Sequence, residues 1–234
     1  MKKVLMIACS FPPLGGAGVQ RSVKFVKYLR NFGYEPIVFT RECKNEEIID
    51  ETLLEDIPEG TKVVRTKDYI YTNMNGIFKI PGKVLSRVIV PDYAAIWWKK
   101  VKEQAEEIIK QENIELIYST SAPYSDHLLA LYLKKKNPKL KWIADFRDEW
   151  TKNPYLEEDK LYKFKVAKER KMEDAVLNNA DAVIANTPIM RDHFLEGRKY
   201  LEKKFFVIPN GFDKDDFKEH VDAVQMCNEK MTLT

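Results

Sequence analysis

The sequence predicts an α/β protein built on one open, mostly parallel, Rossmann-like sheet of about seven strands with helices on both faces. Three observations predict it. Short, β-branched, uniformly apolar runs recur along the chain, which is how strands buried on both faces of a parallel sheet read. Stretches with helical spacing of apolar residues lie between those runs. Glycine and serine clusters fall where strands end and helices begin, the edge at which open α/β sheets place their ligands.

Taken in order, the predicted strands run from Val4 to Cys9, Pro36 to Thr40, Lys62 to Arg65, Leu116 to Ser119, Trp142 to Ala144, Ala182 to Ala185 and Phe205 to Ile208. The first helix carries Val19, Val23, Val26 and Leu29 on one face and stops at Gly33, a residue suited to the position just past a helix end. Another is marked by Trp97, Val101, Ala105 and Ile108. Gly76, Pro81 and Gly82 break the rhythm between Asp68 and Pro91, so this segment reads as an irregular insertion with one short helix. After Ile208-Pro209-Asn210-Gly211 a short polar helix leads to Met231-Thr232-Leu233-Thr234, which reads as a strand at the start of a second domain cut short. The division is a domain over 1–211, then a linker and first strand over 212–234.

Composition narrows the partners. With 234 residues the chain can bury a sizeable core without disulfides. Cys9, Cys43 and Cys227 form an odd set without a CxxC pair, pointing to a reducing compartment and away from structural zinc. The apolar run behind Met1-Lys2-Lys3 is too short for a signal peptide, and no stretch approaches the ~20 apolar residues of a spanning helix. The expectation is a cytoplasmic protein whose membrane contact, if any, is peripheral at the inner face. Lysine runs at 134–136 and 163–171 are solvated faces or contacts for anionic headgroups. A formal charge of +3 and no recognition signature argue against nucleic acid.

Candidate site residues gather after the first, fourth and fifth strands, with one more, Asn210, after the seventh. Gly15, Gly16 and Gly18 sit beside a helix N-terminus, where free backbone amides and the helix dipole favour an anion such as phosphate; a plain turn is the alternative. Arg21 adds a positive charge there or is solvated. A dinucleotide fingerprint fits poorly, because Arg21 stands where the third glycine belongs and Thr40-Arg41 where the ribose-binding acid is expected. After the fourth strand, Ser119 and Ser121 precede a helix that Ser125 or Asp126 can cap. His127, in its first turn, is a ligand for a sugar hydroxyl or phosphate, or an ordinary partly buried histidine.

After the fifth strand, Asp145-Phe146-Arg147-Asp148-Glu149-Trp150 reads as a cluster projecting into a cleft. Asp145 is the catalytic candidate, able to accept a hydrogen bond from an attacking hydroxyl or to stabilise developing positive charge. Arg147 pairs with Asp148 or with a substrate anion, or the two clamp the loop. Trp150 is a stacking face for a sugar or a lid on the core. Asn210 lies in the exit turn. Asp213-Lys214-Asp215 has the form of a metal-binding Asp-x-Asp, but capping by Asp213 explains it more simply, and no metal or other cofactor is predicted.

These elements, in this order, resemble the N-terminal half of glycosyltransferase family 4, the group 1 transferases with two facing Rossmann-like domains of GT-B type. The resemblance is carried by Phe11 through Arg21, Asn31 through Thr40, Pro91-Asp92 before Trp97, Ser119 through His127, Asp145 through Trp150 and Ile208 through Asp213. It implies a retaining, metal-independent transfer from a nucleotide-sugar donor to an acceptor hydroxyl on a glycan or lipid-linked acceptor, in cell-surface polysaccharide or glycoconjugate synthesis. It also implies that Gly15, Gly16 and Gly18 approach the donor phosphates or the acceptor. The cleft position after the fifth strand, often histidine in relatives, is Asp145 here. In the family the second domain binds most of the donor and contributes a Glu-x7-Glu motif, and this sequence is expected to end before that domain's element. The chain alone is therefore expected to be inactive; a non-catalytic nucleotide- or sugar-binding module is the alternative.

Overall fold

The structure is a computed structural model and describes residues 1–44, 47–70, 89–152 and 162–217. The predicted strand at Met231 to Thr234, Cys227 and most of the Asp68 to Pro91 insertion lie outside the described residues.

Seven parallel strands form one sheet: β1 (Lys2–Ile7), β2 (Tyr34–Arg41), β3 (Lys62–Thr66), β4 (Leu116–Ser121), β5 (Lys141–Phe146), β6 (Ala182–Ala185) and β7 (Phe205–Val207). Their order is β3-β2-β1-β4-β5-β6-β7. The chain works outward from β1 in one direction, then returns to β1's other side and works outward again. The reversal between β1 and β4 is the switch point at which an open α/β sheet opens a crevice at its carboxyl edge.

The helices are α1 (Ala17–Leu29), α2 (Ala95–Glu112), α3 (Ser125–Lys136), α4 (Tyr162–Asn179) and α5 (Pro188–Leu195). The predicted apolar face of α1 is the one it buries: Val19, Val23 and Val26 pack with Val4, Met6, Val38 and Tyr118 on one face of the sheet. A 3-10 turn carries α1 on to Gly33, which adopts the left-handed conformation expected past a helix end. The other face is covered by α2, α3, α4 and α5 around Trp97, Trp142, Phe146 and Trp150, all fully buried. Both faces of the central strands are thus covered, which is why β1 and β2 read as unbroken apolar runs.

One local expectation fails. Neither Ser125 nor Asp126 caps α3; Tyr124 holds the cap position and makes no side-chain cap bond. The Ser125 hydroxyl instead donates to Asp92 Oδ1 at 2.7 Å, and Asp126 Oδ2 accepts the Cys9 backbone N–H at 2.9 Å. Both side chains are drawn to neighbouring segments that sequence spacing does not reveal.

Candidate functional site

The β1–α1 turn supplies one wall of the switch-point crevice. It is pinned to the segment that follows β2 by Gly15 N–H to the Ile48 carbonyl, 2.9 Å, and Asp50 N–H to the Pro13 carbonyl, 2.8 Å. That contact leaves no room at Gly15, where a Cβ would meet the Asp50 Cβ at 3.0 Å. Gly16 caps α1 with φ 98° and ψ 162°, a region kept almost entirely to glycine, where other residues are strained by ~1–3 kcal/mol. Gly16, Ala17 and Gly18 are exposed, so the first backbone amides of α1 face solvent.

Across the crevice, Arg147 joins the walls. Its guanidinium donates to the carbonyls of Gly18, Ser121 and Ala122, the last at 2.7 Å. The expected Arg147–Asp148 pair is not formed, because Arg147 is drawn to three carbonyls converging from the β1 and β4 turns. Asp148 is exposed and has no hydrogen-bond partner among the described residues. Asn186 Nδ2 reaches the Arg147 carbonyl at 3.4 Å.

Arg21 and Asp145 meet, although they are far apart in sequence. Arg21 Nε donates to Asp145 Oδ2 at 2.7 Å and Nη2 to Oδ1 at 3.1 Å, a two-pronged pair whose carboxylate side chain is wholly buried. The remaining Arg21 hydrogens go to the carbonyls of Ile208 and Pro209, 3.0 and 3.1 Å, and to Asn210 Oδ1, 3.3 Å. Tyr118 Oη also donates to Asp145. The expectation that Asp145 projects into the cleft is corrected. Parallel pairing carries β5 through Phe146, so Asp145 lies inside the strand and faces Tyr118 and Arg21 under α1. Arg21, likewise, has no donor left for an incoming anion.

Trp150 is corrected in the same way. Its ring is fully buried and stacked on Tyr124 with centroids 4.6 Å apart, so tyrosine takes the face offered to a sugar, and the lid on the core, its other reading, is the arrangement found. Ser119, Ser121 and His127 are also fully buried. His127 Nδ1 lies 2.8 Å from Ser119 Oγ, and the ring is tilted against Phe146 at 4.3 Å. Burial, then the nearby Arg147 charge, push the His127 pKa down to about 3. Burial pushes the Asp126 carboxyl well above its usual range, against the pull of the Cys9 N–H.

Asn210 is exposed in the exit turn, and its backbone N–H donates to Asn186 Oδ1 at 2.8 Å. Beyond it Asp213 takes the N–H of Asp215, the capping role expected of it, and is held by Lys27 at 2.7 Å, Lys24 at 3.0 Å and Tyr28 Oη at 2.7 Å. Lys27, then Tyr28, hold its pKa below the usual carboxylate value. Asp56, Asp213 and Asp216 bring carboxylate oxygens within 4.8 Å of one another, with both lysines bonded among them.

Sequence reasoning missed a second concavity at this edge of the sheet. A cavity of about 250 Å³ is lined by Glu149, Thr151, Glu173, His193, Phe194 and Arg198, among others. His193 Nδ1 lies 2.5 Å from Glu149 Oε1, and Arg198 Nη2 3.0 Å from Glu173 Oε1. Its residues come from segments after β5 and β6 and from α4, and no local motif announces them.

Among solved structures, the chain is similar to a glycosyltransferase from Rickettsia africae ESF-5, with 21% identity, TM-score 0.47, 93% of this chain covered and 45% of that one. It is similar to the N-terminal domain of trehalose-6-phosphate phosphatase from Candida albicans, with 13% identity, TM-score 0.54, 92% and 50%. It is also similar to a UDP-GlcNAc 2-epimerase from Neisseria meningitidis, with 11% identity, TM-score 0.48, 88% and 46%. The chain spans about half the length of these proteins. No curated protein matches its sequence. The sequence model of glycosyltransferase family 4 matches residues 16–216, from the glycine turn to the exit segment. The chain belongs to glycosyltransferase family 4.

Proposed function

We propose that this chain is the N-terminal, acceptor-side half of a retaining, metal-independent GT-B glycosyltransferase that moves a sugar from a nucleotide-sugar donor to an acceptor hydroxyl. The observation that carries the reading is the exposed Gly16–Gly18 turn at the α1 N-terminus, set at the β1/β4 switch point of a family 4 domain. Free amides there suit a phosphate oxygen, and Arg147, tethered to the same turn, adds positive charge beside it. Metal independence is supported by the acidic triad, whose carboxylates already bond two lysines. The acceptor is a glycan or lipid-linked acceptor in cell-surface polysaccharide or glycoconjugate assembly. The work is done in the cytoplasm, peripherally at the inner membrane face; no helix among the described residues is long and apolar enough to cross a membrane.

In this reading, Gly16 and Gly18 let backbone reach the substrate, Arg147 keeps the two walls in register, and Arg21 and Asp145 hold the floor. The second half of the fold binds most of the donor, so these 234 residues alone turn over negligibly. The test is nucleoside-diphosphate release by the full-length gene product over a panel of nucleotide sugars, with and without chelator. Release from one donor, unaffected by chelator and with retained configuration in the product, is expected. Chelator sensitivity or an inverted product would remove the mechanism, and no release with any donor or acceptor would favour a binding module.

A further inference from the structure

Ser121 Oγ, Asp126 Oδ1 and His127 Nε2 are buried and have no hydrogen-bond partner among the described residues. Buried polar groups are normally paired, and each exception calls for a reason. For His127 the hydrogen bonds on the other side of the ring supply one. Trp142 Nε1 can only donate, so its 2.9 Å bond gives a hydrogen to Ser119 Oγ. Ser119 then has its own hydrogen to place, and its remaining partner is His127 Nδ1, at 2.8 Å. In the opposite arrangement, with Nδ1 donating, the Ser119 hydrogen would be buried without an acceptor among the described residues. A neutral ring that accepts at Nδ1 carries its hydrogen on Nε2.

We infer that His127 is a substrate-binding donor, presenting Nε2–H to an oxygen of the substrate, and that Ser119 and Trp142 are positioning residues that fix its tautomer. The inference rests on the switch-point crevice being the substrate site. Ser119 and Ser121 share one face of β4. The imidazole lies against Phe146 and within electrostatic reach of Arg147, the guanidinium that joins the crevice walls. With its hydrogen on Nε2 and its Nδ1 lone pair engaged by Ser119, the ring has no site left to accept a proton from the acceptor hydroxyl. It orients an oxygen and does not act as general base. The oxygen belongs either to a phosphoryl group or to a sugar hydroxyl; the shared chemistry is a lone pair on oxygen.

Nitrogen-15 spectra of the imidazole in the 234-residue chain test the first half. A single neutral form protonated at Nε2, unchanged from pH 5 to 8, is expected; protonation at Nδ1, or titration within that range, would overturn the inference. Titration with inorganic phosphate, UDP and methyl glucoside, each alone, tests the second half and separates the two sources. At least one should move the Nε2–H signal. Ser119→Ala should weaken that probe by about tenfold, roughly one hydrogen bond. His127→Gln, whose amide can replace the donor, should bind within a few-fold of the parent, and Ser119→Ala should add no loss in that background. Equal losses from Ser119→Ala in both backgrounds would mean a merely structural serine. Probes that shift the Gly16 and Gly18 amides but leave Nε2–H unmoved would overturn the inference and spare the crevice. Probes that shift neither would remove both.

Discussion

Arg21 and Asp145 show how a residue's neighbours decide its work. A carboxylate just after an apolar stretch reads as a cleft acid, yet here it is buried and paired with a guanidinium whose hydrogens are all used. Removing one member of a buried pair costs ~3–5 kcal/mol, whereas replacing both with apolar residues is often close to neutral. Arg21→Met should therefore lower stability by that amount in urea denaturation, and adding Asp145→Leu should recover most of it. A loss below about 1 kcal/mol for Arg21→Met would contradict the buried clamp. His127 makes a separate prediction. The folded chain keeps the ring neutral down to about pH 3, while the unfolded chain takes up a proton near the ordinary value of 6.5. Below pH 6.5 the unfolded state binds more protons, so stability falls as pH falls, by at most about 1.4 kcal/mol per unit through that window. His127→Gln should lose stability less steeply on acidification; an unchanged acid dependence would show that the folded ring is charged.

At the scale of elements, the strands were legible because a sheet covered on both faces leaves runs such as Leu5-Met6-Ile7 with no polar alternation. The α1 face and the stop near Gly33 were legible for equally local reasons. The α3 cap was not: Ser125 and Asp126 are good caps by type, but Asp92 and the Cys9 amide, remote in sequence, compete for them. The glycine turn of the site was legible from its composition and place. The burial of Asp145, Trp150 and His127 was not, since it depends on which helix covers which strand end. The exit segment is tied to α1 through Lys24, Lys27 and Tyr28 on Asp213, with Asp56 and Asp216 sharing the lysines. Pairs of this kind are individually weak and screened by salt. Asp213→Asn should speed proteolytic cleavage and amide exchange over residues 208–217 without shifting the core denaturation midpoint, and high salt should mimic it in the parent. Unchanged exchange there would mean that Arg21, Asn186 and the Ala185 carbonyl hold the segment without Asp213.

For the whole molecule, the strand order places the candidate substrate crevice between β1 and β4, with Arg147 across it and the Arg21 clamp beneath α1. Family membership rests on a match over residues 16–216, which takes in α1, β4, β5 and the exit segment and begins after β1. The cavity after β5 and β6, lined by Glu149 and His193, offers a rival location on the same edge. Amide hydrogen exchange of the full-length gene product, with and without the nucleotide sugar it turns over and its acceptor, separates the two most directly. Protection concentrated in residues 15–21 and 119–127 is the predicted result. Protection confined to residues 149–152 and 188–198, with the glycine turn unchanged, would contradict a substrate site at the switch point.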